Sequence, residues 1–199
     1  MENIKTNHEY TDLKTVELIS KDAKTINESL RLSDRIEDQS DKTAFITLKD
    51  HKEDFLDKPN FRLINPAKTQ IGKISKQILK KLNKEIRSAT ELQQWRSTDQ
   101  TLDWFKNLKD KGDLKFIQLD IVEYYPSITE ETLEKALNFA NIALGKQISD
   151  KTIEIVKHSR NSFLYTIQEG GLAGERTPWK KKRGLFDVTM GAPDGAEVC

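Results

Sequence analysis

The run Phe116-Ile117-Gln118-Leu119-Asp120-Ile121-Val122-Glu123-Tyr124-Tyr125-Pro126-Ser127-Ile128 constrains the fold of this chain more than any other stretch. Phe116, Ile117, Leu119 and Ile121 have a strand-like composition. The segment is therefore expected to be a strand ending in one carboxylate, with two aromatics just beyond it. A carboxylate where such a strand opens into solvent can hold Mg²⁺ against a substrate phosphate. The same carboxylate can equally cap the turn after a buried strand. The residues by themselves leave both readings open.

Two other segments carry local signals of the same kind. Upstream, Phe45-Ile46-Thr47-Leu48-Lys49-Asp50-His51-Lys52 and Lys58-Pro59-Asn60-Phe61-Arg62-Leu63-Ile64-Asn65-Pro66 place two apolar runs around a polar connection containing Asp, Lys and Pro. That is the pattern of a hairpin with a long loop. Near the C-terminus, Leu185-Phe186-Asp187-Val188-Thr189-Met190 leads into Gly191-Ala192-Pro193-Asp194-Gly195. Two glycines free of Cβ crowding around a stiffening proline let the backbone approach a ligand closely, or simply make a turn.

In this order, the three segments resemble the catalytic domain of reverse transcriptases of the retroelement type, over about residues 44 to 199. In that family an apolar strand ends in an aspartate, with an aromatic five residues later and then a small residue and an isoleucine. Here these are Asp120, Tyr125, Ser127 and Ile128. The resemblance implies a right-hand polymerase in which Asp120 holds both catalytic metals and the carbonyl of Ile121 adds an oxygen ligand. Mg²⁺ or Mn²⁺ would be the cofactor. Tyr125 would lie under the sugar and obstruct a 2′-hydroxyl, the group that separates RNA from DNA. The hairpin would be that of the fingers, with Lys49 and Arg62 gripping the triphosphate, Arg as a two-point fork and Lys as a point charge. Arg62 sits within an apolar strand, where a solvated surface role is less expected. Gly191, Pro193, Asp194 and Gly195 would form the second palm motif, against the nascent base pair and the nucleotide sugar. The implied partners are deoxynucleoside triphosphates and an RNA or DNA template with its primer.

The chain departs from that pattern in two places. The family commonly has Gln where Asp194 stands, which puts the usual side-chain contact to the sugar in doubt. Its other catalytic carboxylates lie in a Tyr-x-Asp-Asp hairpin, and no Asp-Asp pair occurs in this sequence. Two-metal transfer needs carboxylates that hold the ions about 3.5 to 4 Å apart, which Asp120 alone cannot do. The expectation is a fragment or decayed copy of a longer polymerase, inactive by itself. A non-catalytic nucleic-acid-binding relic is the alternative from another class.

Charge supports a nucleic-acid partner only when it is divided along the chain. The net value is +1, but residues 1 to 41 carry −4 and the remainder +5. Lys73, Lys76, Lys80, Lys81, Lys84 and Arg87 alternate with Ile71, Ile74, Ile78, Leu79, Leu82 and Ile86 at helical spacing. One face of that helix is thus apolar and another basic. Lys73, Lys76, Lys80 and Lys84 are the candidate phosphate contacts, with salt-sensitive affinity; a merely solvated face is the alternative. Lys180, Lys181, Lys182 and Arg183 form a second basic run. The single cysteine, Cys199, excludes an internal disulfide, and His8, His51 and His158 are too scattered to suggest a zinc cluster. No apolar run approaches the roughly 20 residues that span a bilayer. An intracellular protein, cytoplasmic or nuclear, is expected.

The predicted architecture is α+β: a helical N-terminal segment over residues 1–43, fingers over 44–110 and a partial palm over 111–199. Leu13, Val16, Ile19, Ala23, Ile26 and Leu30 recur at helical spacing. Trp95, Leu102, Trp104 and Phe105 are expected to be core residues of a helix between Thr90 and Leu108. Thr129 should cap a helix running to Leu144 and ended by Gly145, and Ser149 should begin another. Phe163 to Ile167 should be a strand, with Gly170-Gly171 as a turn and Pro178-Trp179 introducing the basic run.

Overall fold

The structure, a computed structural model of the 199-residue chain, describes residues 2–34, 42–48, 50, 56–57, 61–67, 69, 71–92, 94–95, 97–121, 124–167 and 175–199. The class is α+β, with helix predominating. Helix α1 (Glu2–Asn7) leads directly into a short strand β1 (His8–Tyr10), followed by α2 (Leu13–Ser29). Asp12 caps α2 by accepting from the Thr15 backbone N–H at 2.6 Å, which lowers its carboxyl below the ordinary value. The N-terminal segment, expected to be helical, is therefore only partly so, since β1 interrupts it. Its three-residue strand is too short to show a period of its own, and it exists because a distant partner, described below, offers an edge.

Strands β2 (Phe45–Leu48) and β3 (Phe61–Ile64) form the expected hairpin, pairing Phe45 with Ile64 and Thr47 with Arg62. Then come α3 (Gly72–Thr90) and α4 (Thr98–Asn107). The first closes in the left-handed conformation at Glu91, and the second is capped by Ser97 accepting from Gln100. A single 3₁₀ turn spans Lys111–Asp113. After α5 (Tyr124–Ser127), α6 (Glu130–Leu144) begins at Thr129 and ends on Gly145 at φ +60°. Helix α7 (Asp150–His158) begins on a Ser149 cap. These starts and stops match the sequence reading, because caps are local chemistry. Strand β4 (Leu164–Ile167) pairs antiparallel with β5 (Arg176–Lys181), and β5 pairs on its other edge with β1, giving the order β1-β5-β4. The short helix α8 (Gly195–Val198) closes the chain. The Gly170-Gly171 turn lies outside the described residues.

The largest core joins α3, α6 and α7. Leu79, Leu133, Leu137, Ala140, Ile148 and Val156 are buried there, with Ile78, Leu82, Ile86, Ile153, Phe186 and Val198 against them. Each fully buried aliphatic side chain contributes about 1.5 to 3 kcal/mol of transfer free energy, so this cluster anchors the basic helix. A second cluster ties Leu30 and Leu32 to Ile71 and Ile155. A third sets Ala67 against Phe163 and Tyr165, with Val16 and Ile19.

Two expectations fail. Residues 114–121 are not a strand: Ile117 and Leu119 are each 88% exposed, and Asp120 is exposed. Among the described residues, 115–121 make no backbone-to-backbone hydrogen bond. Strand composition produces a strand only where a neighbour supplies the ladder, and the described strands pair elsewhere. Nor are Trp95 and the α4 aromatics core residues. Helix α4 buries none of its side chains, and Trp95 and Phe105 are each 44% exposed. The capping and periodicity that place a helix say nothing about whether another element covers it.

Candidate nucleotide and nucleic-acid interface

The Gly191–Gly195 loop is built onto the exit of the hairpin. Asn65, the residue after β3, is almost fully buried. Its backbone N–H donates to the Met190 carbonyl at 2.8 Å. Its side-chain Nδ2 donates to the Phe163 carbonyl at 3.1 Å, and its Oδ1 accepts from the Ala67 N–H at 3.1 Å. Gly191 has φ +102°, and a Cβ there would stand 2.5 Å from the Asn65 carbonyl oxygen. Only glycine fits, on both conformational and steric grounds. Pro193 lies over the first turn of α3, where a Cβ on Gly72 would meet its Cγ at 3.2 Å. On the other side, a Cβ on Gly195 would come 3.0 Å from the Thr189 carbonyl and 3.6 Å from Tyr125 Cε1.

Residues far apart in sequence therefore converge: the hairpin exit, the start of α3, Tyr125 and the glycine loop. Tyr125 is half-buried, and burial, together with the negative charges at Cys199 and Glu197, pushes its phenol pKa up. Its neighbour Tyr124 donates its hydroxyl to the Cys199 carbonyl at 2.7 Å. The α5 turn is thereby held to the C-terminal end of α8.

Asp194 does not face a ligand. It is fully enclosed, and its Oδ2 accepts from the Ser159 hydroxyl at 2.7 Å while Oδ1 is bonded to Arg160 Nη2. Arg160 is equally buried, and burial lowers its guanidinium pKa to about 10, against the opposing charges at Cys199 and Asp187. The expected contact of Asp194 with a nucleotide is thus replaced by an internal ion pair that pins the loop to the end of α7. The sequence reading missed Ser159, Arg160 and Asn65. Arg160 carries no signal beyond being a charged residue just after a helix, and only the enclosure of both partners reveals the pair.

A second buried charged group was also missed. Asp187 lies between His8 Nε2 at 3.4 Å and Lys181 Nζ at 2.6 Å. Burial works to raise its carboxyl pKa, but the His8 and Lys181 contacts outweigh it, and the net shift is downward. This cluster fastens β1 and β5 to the segment leading into the glycine loop. Lys180 is likewise paired, with Glu9. Half of the second basic run is therefore neutralised within the fold.

The remaining predicted residues are not brought together. Asp120 and Ile121 lie on the exposed, unpaired segment. Among the described residues, no group of three or more His, Cys, Asp or Glu side chains is placed to hold a metal ion. The donor set among the described residues does not fit a two-metal centre. Arg62 is exposed on β3 despite its apolar neighbours, because the two-stranded hairpin leaves a face open to water. Lys49, Lys52 and Lys58 lie outside the described residues.

The basic face of α3 is intact and narrow. At 100° per residue, Lys73, Lys76, Lys80, Lys84 and Arg87 fall within a sector of about 80°. Lys73, Lys80 and Lys84 are exposed, and Lys76 is half-buried. Glu197 of α8 sits beside the stripe, 3.8 Å from Lys76 Nζ and 4.0 Å from Lys80 Nζ, and its carbonyl accepts from Asn83 Nδ2 at 2.8 Å. The stripe is thus anchored beside the glycine loop, with one carboxylate partly offsetting two of its cations. Among the described residues, no helix is long and apolar enough to cross a membrane. No family model, no curated protein and no solved structure matches this chain.

Proposed function

We propose that this chain is the fingers and partial palm of a reverse transcriptase of the retroelement type, whose DNA synthesis requires carboxylates carried elsewhere in a longer protein. The observation that carries the reading is the docking of the hairpin exit onto the glycine loop through Asn65, Met190 and Gly191, with Tyr125 against Gly195. Residues of three motifs, the first and last of them more than a hundred residues apart, are thereby gathered around one loop, as a nucleotide pocket between fingers and palm requires. The exposed run from Phe116 to Ile121 supports it further. An apolar segment whose Ile117 and Leu119 stand in water, with no ladder partner among the described residues, is suited to pair within a larger sheet. Within that protein Asp120 would hold metal, Tyr125 would sense the sugar and Arg62 would meet the triphosphate.

The test is primer extension by a longer form that includes a Tyr-x-Asp-Asp hairpin. Asp120→Ala should abolish extension while leaving template binding nearly unchanged, because a metal-holding carboxylate acts in the transition state more than in the ground state. Extension at the normal rate rejects the assignment. A second reading, a non-catalytic nucleic-acid-binding relic, is favoured by one observation: the cationic stripe on α3 is assembled although Asp120 stands apart from any metal-binding cluster. Absence of synthesis by the longer form, with binding retained, selects it.

A further inference from the structure

The rings of Trp95, Trp104, Phe105 and Phe116 form a connected cluster outside the cores. Centroid separations are 4.6 Å for Trp95–Trp104, 6.1 Å for Trp104–Phe116 and 6.0 Å for Phe105–Phe116. Trp95 and Phe105 are each 44% exposed and Phe116 58% exposed. Exposed aromatic rings clustered in this way are candidates for a binding face. We infer that it is a stacking platform for the bases of single-stranded nucleic acid, entered from the end of the basic stripe on α3. The inference rests on the nucleic-acid reading of that stripe.

Three features choose this occupant. The exposed side chains are aromatic, and every base can stack on an aromatic ring regardless of sequence. Cations are interleaved with it: Lys111 Nζ stands 5.3 Å from the Phe105 ring centroid, and Lys106, Lys109 and Lys115 are exposed nearby. And the platform is continuous with the stripe, because Arg87, its last member, donates from Nη1 to Gln94 Oε1 at 3.2 Å, one residue before Trp95. Asp99, Asp103, Asp110 and Asp113 balance the four lysines. Phosphate attraction therefore comes from α3, and the rings add a contribution that salt does not screen.

Trp179 supplies an internal reference, since its indole N–H is held by Thr166 Oγ1 at 2.9 Å in the sheet. The 199-residue chain is titrated with an end-labelled oligo(dT) of about 12 nucleotides, within the size range of single-strand sites. Anisotropy and tryptophan fluorescence are read together. Quenching should saturate with the anisotropy, and duplex of equal length should give none. Trp95→Ala should weaken binding about 5- to 140-fold, the range for one lost stacking contact, without changing the salt slope. Trp95→Phe should restore most of it. Trp95 precedes α4 and belongs to no buried cluster, so helical circular dichroism should be unchanged in both variants. Salt-dependent binding without quenching, and indifferent to Trp95→Ala, overturns the platform while leaving the stripe. No binding at all overturns both. Self-association of the free chain that Trp95→Ala abolishes, without quenching by oligo(dT), assigns the surface to a second copy of the chain instead.

Discussion

Asp194→Ala should be among the most damaging single substitutions in this chain, although the residue lies in a surface-loop motif. Arg160 and Asp194 have side chains 1% and 0% exposed. The guanidinium has few other acceptors: Ser159 Oγ lies 3.3 Å from Nε and 3.1 Å from Nη2, and Nη1 has no hydrogen-bond partner among the described residues. Removing the carboxylate leaves a buried cation facing one hydroxyl. Breaking a buried pair from one side costs about 3 to 5 kcal/mol, a large share of the 5 to 15 kcal/mol that typically holds a domain together. At a urea slope of about 2 kcal/mol per molar, the unfolding midpoint should fall by about 2 M. Asp194→Gln, the residue usual in the family that the chain resembles, should also destabilise, since it removes the charge and adds a methylene to a closed site. The paired replacement Arg160→Met with Asp194→Leu should recover most of the loss, because apolar residues of similar volume need no compensation. Urea unfolding followed by circular dichroism reads all four proteins. A midpoint shift below about 0.5 M for Asp194→Ala, or a double variant no more stable than the single one, would refute the argument.

Gly191→Ala should destabilise more than Gly145→Ala: both glycines have positive φ, but only at Gly191 does a Cβ meet backbone, at 2.5 Å, while Gly145 has open space. The second should cost about 1 kcal/mol from conformation alone, and thermal unfolding of the two variants separates clash from strain. Asp187→Asn should reveal the His8–Asp187–Lys181 cluster through pH. The folded carboxyl titrates below its ordinary value of 3.8, so its contribution is present above that value and lost as pH falls through the lower folded pKa. The stability gap between the parent and the variant should therefore be widest above the ordinary carboxylate range and close as pH falls through the lower folded pKa; a gap independent of pH would show that the contact does not depend on charge. Neutralising Lys76, Lys80 and Lys84 together should reduce the salt slope of nucleic-acid binding by up to about three units if each meets a phosphate. The pairing of Glu197 with Lys76 and Lys80 should make the loss smaller than that limit. An unchanged slope assigns the stripe to solvent.

What the sequence made readable was whatever local chemistry decides. Thr129 and Ser149 begin their helices, and Gly145 ends one, where expected because a cap needs only its own few residues. The amphipathic period of α3 sorted its core-facing isoleucines and leucines from its lysines for the same reason. What it concealed was decided by partners remote in the chain. Strand β1 exists because β5 is there to pair with it. The pairing of Arg160 with Asp194, 34 residues apart, has no periodic signature at all. The glycine loop was recognised as a place of close approach, but what approaches it in the fold is Asn65 and Tyr125.

The segment from Phe116 to Ile121 shows how the same composition can be read correctly and still give no element. Its residues favour a pleated, covered environment, a statement about surroundings more than about backbone. Here Ile117 and Leu119 stay in water, Phe116 meets the Trp104 and Phe105 rings, and the backbone finds no ladder among the described residues. Two terms disfavour that arrangement in a finished fold, the exposed apolar area and the unpaired edge, and both are removed by one event, the addition of a strand. Asp120 rides on this segment, so the same event would fix the position of its carboxylate. If Asp120 holds metal as proposed, that binding should be coupled to completion of the sheet, and the glycine loop, which is already held by Asn65 and by the Arg160–Asp194 pair, should change little when it happens.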